Sequence, residues 1–98
     1  MSKATIFLAP ASMMMVCYKS DAVDHVKENI GAYVDAGTML TEQVGQDAAE
    51  EMFDLTNNPY RQEERINLYG RGRSVSSGDV IEVDKVRYLC MPFGWEVL

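Results

Sequence analysis

Apolar residues recur at helical spacing in two segments of the chain, residues 20–37 and 45–59. Ser20 or Asp21 can cap the start of the first segment, and Gly37 is placed to end it. The pattern therefore predicts a helix over each segment. The apolar side of the second segment consists of Ala48, Met52, Phe53 and Leu55. Its stop signal is Asn57, Asn58 and Pro59.

Strand patterns begin the chain. Residues 4–9 and 13–19 are rich in strand-compatible side chains and are separated by Pro10, which cannot donate to a strand ladder. These residues predict one or two strands. Residues 38–44 have the composition of a further short strand.

The last third of the chain predicts an antiparallel meander. Its segments 79–84, 86–92 and 94–98 alternate or run apolar and are separated by turn residues. Residues 60–77 have no period and predict a long loop. The fold class is α+β in a single domain over 1–98. We expect two layers, in which the three-stranded meander packs against one or two helices and an N-terminal strand joins the sheet.

The formal net charge of −6 is unevenly distributed along the 98 residues. Residues 1–59 hold three lysines and nine carboxylates, whereas residues 60–98 hold six basic and six acidic groups. Such acidity disfavours non-specific binding to DNA. Cys17 and Cys90 lie in apolar segments, which is typical of buried reduced thiols. With no membrane-length apolar run and a weak match to a signal peptide, the sequence predicts a cytoplasmic protein.

Four arginines lie close together in the sequence, at Arg61, Arg65, Arg71 and Arg73. With the aromatic residues Tyr60, Tyr69 and Trp95 they resemble a site for single-stranded RNA or DNA, where bases stack on rings and guanidinium groups bind phosphates. The alternative is a solvated loop whose arginines pair with Glu63 and Glu64.

The segment "YGRGRSVSSGDVIEV", residues 69–83, is either a phosphate-binding loop or the turn that begins a strand. Phosphate loops have a lysine in a fixed glycine frame and open a helix, whereas this segment opens a strand. The pattern therefore favours a turn in which Gly78 has a positive φ and Asp79 bonds to the backbone.

Carboxylates on the second predicted helix form another candidate binding surface. Asp47, Glu50, Glu51 and Asp54 could present a row of negative charge to a basic partner protein. No catalytic residues are predicted, because the single His25 has no nucleophile placed beside it. One histidine and two distant cysteines lack the spacing of a metal site, and no cofactor motif is present.

Three segments resemble a family. At "LTNNP" (55–59), "RSVSSGDVIEVD" (73–84) and "YLCMPFGWEVL" (88–98) the chain resembles small proteins of phages, plasmids and other mobile elements that are related to the YodL-like domain. Ser77 stands where valine is usual in these proteins. The resemblance implies an α+β fold and a mobile-element origin, but no activity. The matching positions are Thr56, Asn57, Asn58, Arg73, Ser74, Ser76, Gly78, Asp79, Gly94 and Trp95.

Most of these positions have a structural explanation. Asn57 and Asn58 are expected to cap a helix and Trp95 to fill the core, whereas Arg73 is expected to bond to the asparagine turn or to a ligand beside it. The chain is therefore predicted to be a non-enzymatic accessory protein of a mobile element, which binds a host or element-encoded protein through its acidic helices or its arginine loop. The alternative is a small RNA- or DNA-binding module. An exposed edge of the meander could also pair two copies into a homodimer.

Overall fold

A computed structural model describes residues 1–98 as an antiparallel sheet of five strands with helices packed on it. The strands are β1 (Ser2–Leu8), β2 (Val34–Thr41), β3 (Val80–Val83), β4 (Val86–Cys90) and β5 (Trp95–Val97). Their order across the sheet is β2-β1-β3-β4-β5. The α+β class, the C-terminal meander and the joining of the N-terminal strand are confirmed.

Three α-helices accompany the sheet: α1 (Ala22–Asn29), α2 (Gly45–Asn57) and α3 (Gln62–Leu68). The prediction for the second helix is confirmed closely. The first helix is shorter than predicted, because a 3-10 turn over Ile30–Ala32 follows it and the chain then enters β2. Pairing of β2 with β1 and burial of Tyr33 outweigh the helical spacing of this segment.

Two further segments differ from the prediction. Of the one or two strands predicted over 4–9 and 13–19, only the first forms, and the chain has short 3-10 turns at Ala11–Met13 and Val16–Tyr18 in place of the second. These turns place Met13 and Val16, three residues apart, in the same buried cluster. The prediction of a long loop over 60–77 is wrong in part, because α3 occupies the first half of this segment. No residue of α3 is buried, so its sequence lacks the periodic apolar residues from which a helix is predicted.

Apolar clusters cover both faces of the sheet. The larger cluster includes Ile6 and Ile81 with the buried side of α2, and the smaller one includes Val80 and Leu89 with α1 and the 3-10 turns. Adjacent strand residues point to opposite faces, so the two clusters lie on opposite sides of the sheet. The predicted layers of sheet and α2 are present, and α1 covers part of the opposite face of the sheet.

Candidate functional site

Asp79 is the only aspartate or glutamate that is fully buried, and it begins the meander. Arg73 donates to both of its carboxylate oxygens at 2.8 Å. The backbone N–H groups of Ala9 and Ser76 donate to the same carboxylate at 2.7 and 2.8 Å. Hydrogen bonding to Asp79 raises the pKa of the Arg73 guanidinium. Arg73 therefore bonds to Asp79 rather than to the asparagine turn, and the pair joins the loop to the end of β1.

The asparagine turn contacts the same loop through other atoms. Thr56 accepts a hydrogen bond from the backbone N–H of Val75 at 3.0 Å, and its carbonyl accepts one from the Ser74 hydroxyl at 2.7 Å. Asn57 donates to the carbonyl of Val75 at 2.8 Å. Asn58 caps the following 3-10 turn by accepting from the N–H of Tyr60. The "LTNNP" and "RSVSSGD" segments thus form one junction, which fixes the end of α2 to the start of the meander.

Gly78 and Tyr33 close this junction on its other side. Gly78 has a φ of 98°, which confirms the positive φ predicted for the turn. The Tyr33 hydroxyl donates to the carbonyl of Gly78 at 2.6 Å. Burial raises the pKa of the Tyr33 hydroxyl to about 12, and burial likewise raises the pKa of the Cys90 thiol to about 12. The junction is satisfied internally, so it has a structural role.

The raised pKa values predict that the protein loses stability in alkali. Both groups stay protonated in the folded state above pH 10, whereas in the unfolded chain they ionise near their ordinary values of 10.0 and 9.0. The unfolded state then binds fewer protons, so the free energy of unfolding falls as pH rises from 9 to 12. Urea unfolding across this range should show a smaller decline for Tyr33→Phe than for the wild type. An equal decline in both would contradict the role of Tyr33.

Two other arginines of the predicted nucleic-acid site, Arg61 and Arg65, bond to groups within the protein. Arg61 forms ion pairs with Glu51, Asp54 and Glu64, and hydrogen bonds to these carboxylates, that to Glu64 having the largest effect, raise its pKa. Arg65 donates to the carbonyl of Gly72 and lies 5.6 Å from the centre of the Tyr69 ring. Of the two glutamates considered as local partners, Arg61 pairs with Glu64 and not with Glu63.

Arg71 differs from the other three arginines. It is exposed and makes no hydrogen bond or ion pair. Two aromatic residues of the predicted site have different surroundings. Tyr69 donates to the carbonyl of Arg73 at 2.6 Å, and Tyr60 is almost completely exposed. The structure therefore leaves one free guanidinium where the sequence predicted a set of four.

The four predicted carboxylates of α2 lie together around a shallow depression that no hydrophobic residue lines. We call Asp47, Glu50, Glu51 and Asp54 the acidic surface. Arg61 lies at its edge and holds Glu51 and Asp54, while Asp47 and Glu50 are exposed. Arg61 therefore neutralises only part of the negative charge here, because it faces five carboxylates when Glu64 is included.

An aromatic groove adjoins the acidic surface. It has a volume of about 160 Å³ and lies between α2 and the turn from β4 to β5, where Phe53, Met91, Pro92 and Trp95 line it. The indole N–H of Trp95 donates to Glu50 at 2.7 Å, so one carboxylate belongs to both features. Trp95 is half-buried at the rim of the core, not enclosed within it as expected.

Sequence reasoning missed the groove and the aromatic residue next to it. Phe93 is 97% exposed at the tip of the same turn. A phenylalanine inside a Pro-x-Gly turn was an available signal, because a turn rarely buries its central side chain. The pairing of Glu50 with Trp95 joins residues 45 positions apart and had no local signal.

Comparison with protein-family models, with curated proteins and with solved structures finds no match to this chain. No helix has the length and apolar character needed to cross a membrane. No group of three or more His, Cys, Asp or Glu side chains is arranged to hold a metal ion. The side-chain geometry is therefore the basis for the binding surface proposed below.

Proposed function

We propose that this chain is a non-enzymatic accessory protein of a mobile genetic element and that it binds a basic host protein through the acidic surface. The hydrogen bond between Trp95 and Glu50 carries the proposal, because it joins an aromatic groove to a charged rim. Protein interfaces have this composition, with aromatic anchors at the centre and polar residues around them. The mobile-element origin rests on the resemblance of the three sequence segments.

The charge of this surface determines the kind of partner. Its carboxylates repel phosphate groups, so a nucleic acid is disfavoured next to Trp95. Lysine or arginine side chains on a protein would be attracted instead. Arg61 holds Glu51 and Asp54 in fixed positions, which lowers the entropy that these side chains lose on binding.

The acidic surface can be tested by reversing the charge of two of its exposed carboxylates. Asp47→Lys with Glu50→Lys changes the net charge from −6 to −2, since each replacement adds two charges. The tagged wild type and the double variant are used to capture proteins from a nuclease-treated bacterial lysate. We expect a basic protein to be retained by the wild type and lost by the variant, with its association rate reduced about tenfold at low salt.

A matched control separates a local effect from a change of overall charge. Asp24→Lys with Glu28→Lys makes the same change of charge on α1, which packs on the opposite face of the sheet. Capture by this control should equal that of the wild type. Equal loss in both double variants would assign the effect to net charge and contradict a specific surface. Capture from an untreated lysate that is lost after nuclease treatment would instead favour the RNA- or DNA-binding alternative and Arg71.

A further inference from the structure

β2 leaves the longest unpaired edge of the sheet. It has eight residues and pairs with β1 alone, whereas the strand at the opposite edge, β5, has three residues. An unpaired edge presents free backbone N–H and C=O groups to another strand. The free edge predicted for the meander is therefore the shorter of the two edges.

The turn from β3 to β4 establishes which backbone groups are free. Asp84 and Lys85 have φ values of 50° and 71°, so they form a two-residue turn with Val83 and Val86 as the flanking pair. Such a flanking pair is hydrogen-bonded. The donation from Cys90 N–H to the Asp79 carbonyl at 2.8 Å agrees with this alternation. The odd-numbered residues of β3 therefore bond β4, and the even-numbered residues bond β1.

The same alternation continues across β1 to β2. The even-numbered residues of β3 pair with Thr5 and Phe7, so the even-numbered residues of β1 bond β2. Those residues pair with odd-numbered residues of β2 within 37–41. Thr38 and Leu40 therefore direct their backbone N–H and C=O groups away from the sheet.

The first half of β2 is protected against further pairing, and the second half is not. The register shifts opposite Ile6 and Phe7, which leaves Ala36 as an extra residue in a bulge. Asp35 precedes this bulge and accepts a hydrogen bond from the N–H of Gly37. Bulges, charges and prolines are the usual protections of an edge. Residues 37–41 contain no charge and no proline.

Apolar side chains lie beside the unprotected half. Leu40 is 62% exposed, and Leu68 of α3 is 55% exposed. Both line a groove of about 190 Å³ between β2, α2 and α3, whose lining also includes the charged residues Glu42, Glu51, Arg61 and Glu64. An added strand would cover part of this apolar surface in addition to bonding the free backbone groups.

We propose that residues 37–41 of β2 pair with the same residues of a second copy of this chain. The two strands are antiparallel about a two-fold axis at Met39, so that Thr38 of each copy pairs with Leu40 of the other. In this register the free N–H and C=O groups of Thr38 and Leu40 in each strand all bond to the other strand. The two strands are thus joined by four hydrogen bonds. The result is a continuous sheet of ten strands.

A second copy is the occupant that the chemistry of this segment favours. A two-fold contact brings the segment against its own copy, so pairing is favoured when the segment carries no like charges that would repel each other. Residues 37–41 meet this condition in a protein of net charge −6. The contact is short compared with a stable interface, so the dimer should depend on concentration. This inference does not depend on the acidic surface, which lies on α2.

Sedimentation velocity of the full chain over a concentration series tests the pairing. We expect the mass to rise from one chain to two with concentration. Leu40→Lys places a charge at the contact and should weaken association at least about tenfold. Val97→Lys is the matched control, because Val97 is 56% exposed on the other edge strand. It should leave association unchanged.

Amide hydrogen exchange of the wild type removes any dependence on how the variants fold. The amides of Thr38 and Leu40 should exchange slowly at concentrations where the dimer forms and rapidly where the monomer does. A monomer at every concentration would overturn the proposal. So would a dimer in which these two amides still exchange rapidly, or one that Val97→Lys disrupts and Leu40→Lys does not.

Discussion

Asp79→Ala is expected to lower the free energy of unfolding by about 3–5 kcal/mol. The replacement removes an acceptor for Arg73 and leaves the backbone N–H groups of Ala9 and Ser76 without their partner. These N–H groups are partly buried, and a donor shielded from water without a partner loses hydration and gains nothing in return. Chemical denaturation at neutral pH measures the change. This junction joins β1, the loop and β3, so its loss affects the whole domain.

Replacing the other member of the pair should have a smaller effect. The Arg73 side chain is 38% exposed, so water can approach the carboxylate when the guanidinium is removed. Arg73→Ala should therefore cost about 1–3 kcal/mol. Arg71→Ala is the matched control in the same loop and should change stability by less than about 0.5 kcal/mol. Identical stabilities for the two arginine variants would refute a stabilising role for the pair.

Gly78→Ala is expected to cost about 2–4 kcal/mol of stability. The φ of 98° is unfavourable for any side chain, and a Cβ atom would lie 3.2 Å from the carbonyl oxygen of Met13. That oxygen belongs to the backbone of a 3-10 turn packed in the smaller cluster, so it cannot move aside easily. Thermal or urea unfolding measures the loss.

Gly94→Ala separates the two causes of this effect. Gly94 has a similar φ of 89°, but a Cβ atom there would have no neighbour within 4 Å. Its replacement should cost about 1–2 kcal/mol from the backbone conformation alone. A cost for Gly78→Ala no larger than that for Gly94→Ala would mean that contact with the 3-10 turn contributes nothing.

The pattern of the sequence determined those elements whose signals are local. The apolar side of α2, its stop at Asn57-Asn58-Pro59 and the alternation of the three last strands all act within a few residues. The turn at Gly78 is a further example, because only glycine adopts its φ without strain. For the candidate site, the four carboxylates of α2 were predictable because helical spacing places them near one another.

Tertiary structure decided the features that join distant residues. Tyr33 follows a helical pattern, yet its contact with Gly78 and the pairing of β2 with β1 draw this segment into the sheet. Arg73 was identified as important, but its partner Asp79 could be assigned only once the loop was folded. The link of Trp95 to Glu50 and the free edge of β2 depend on strand order. Strand order follows from long-range packing, which no short sequence pattern encodes.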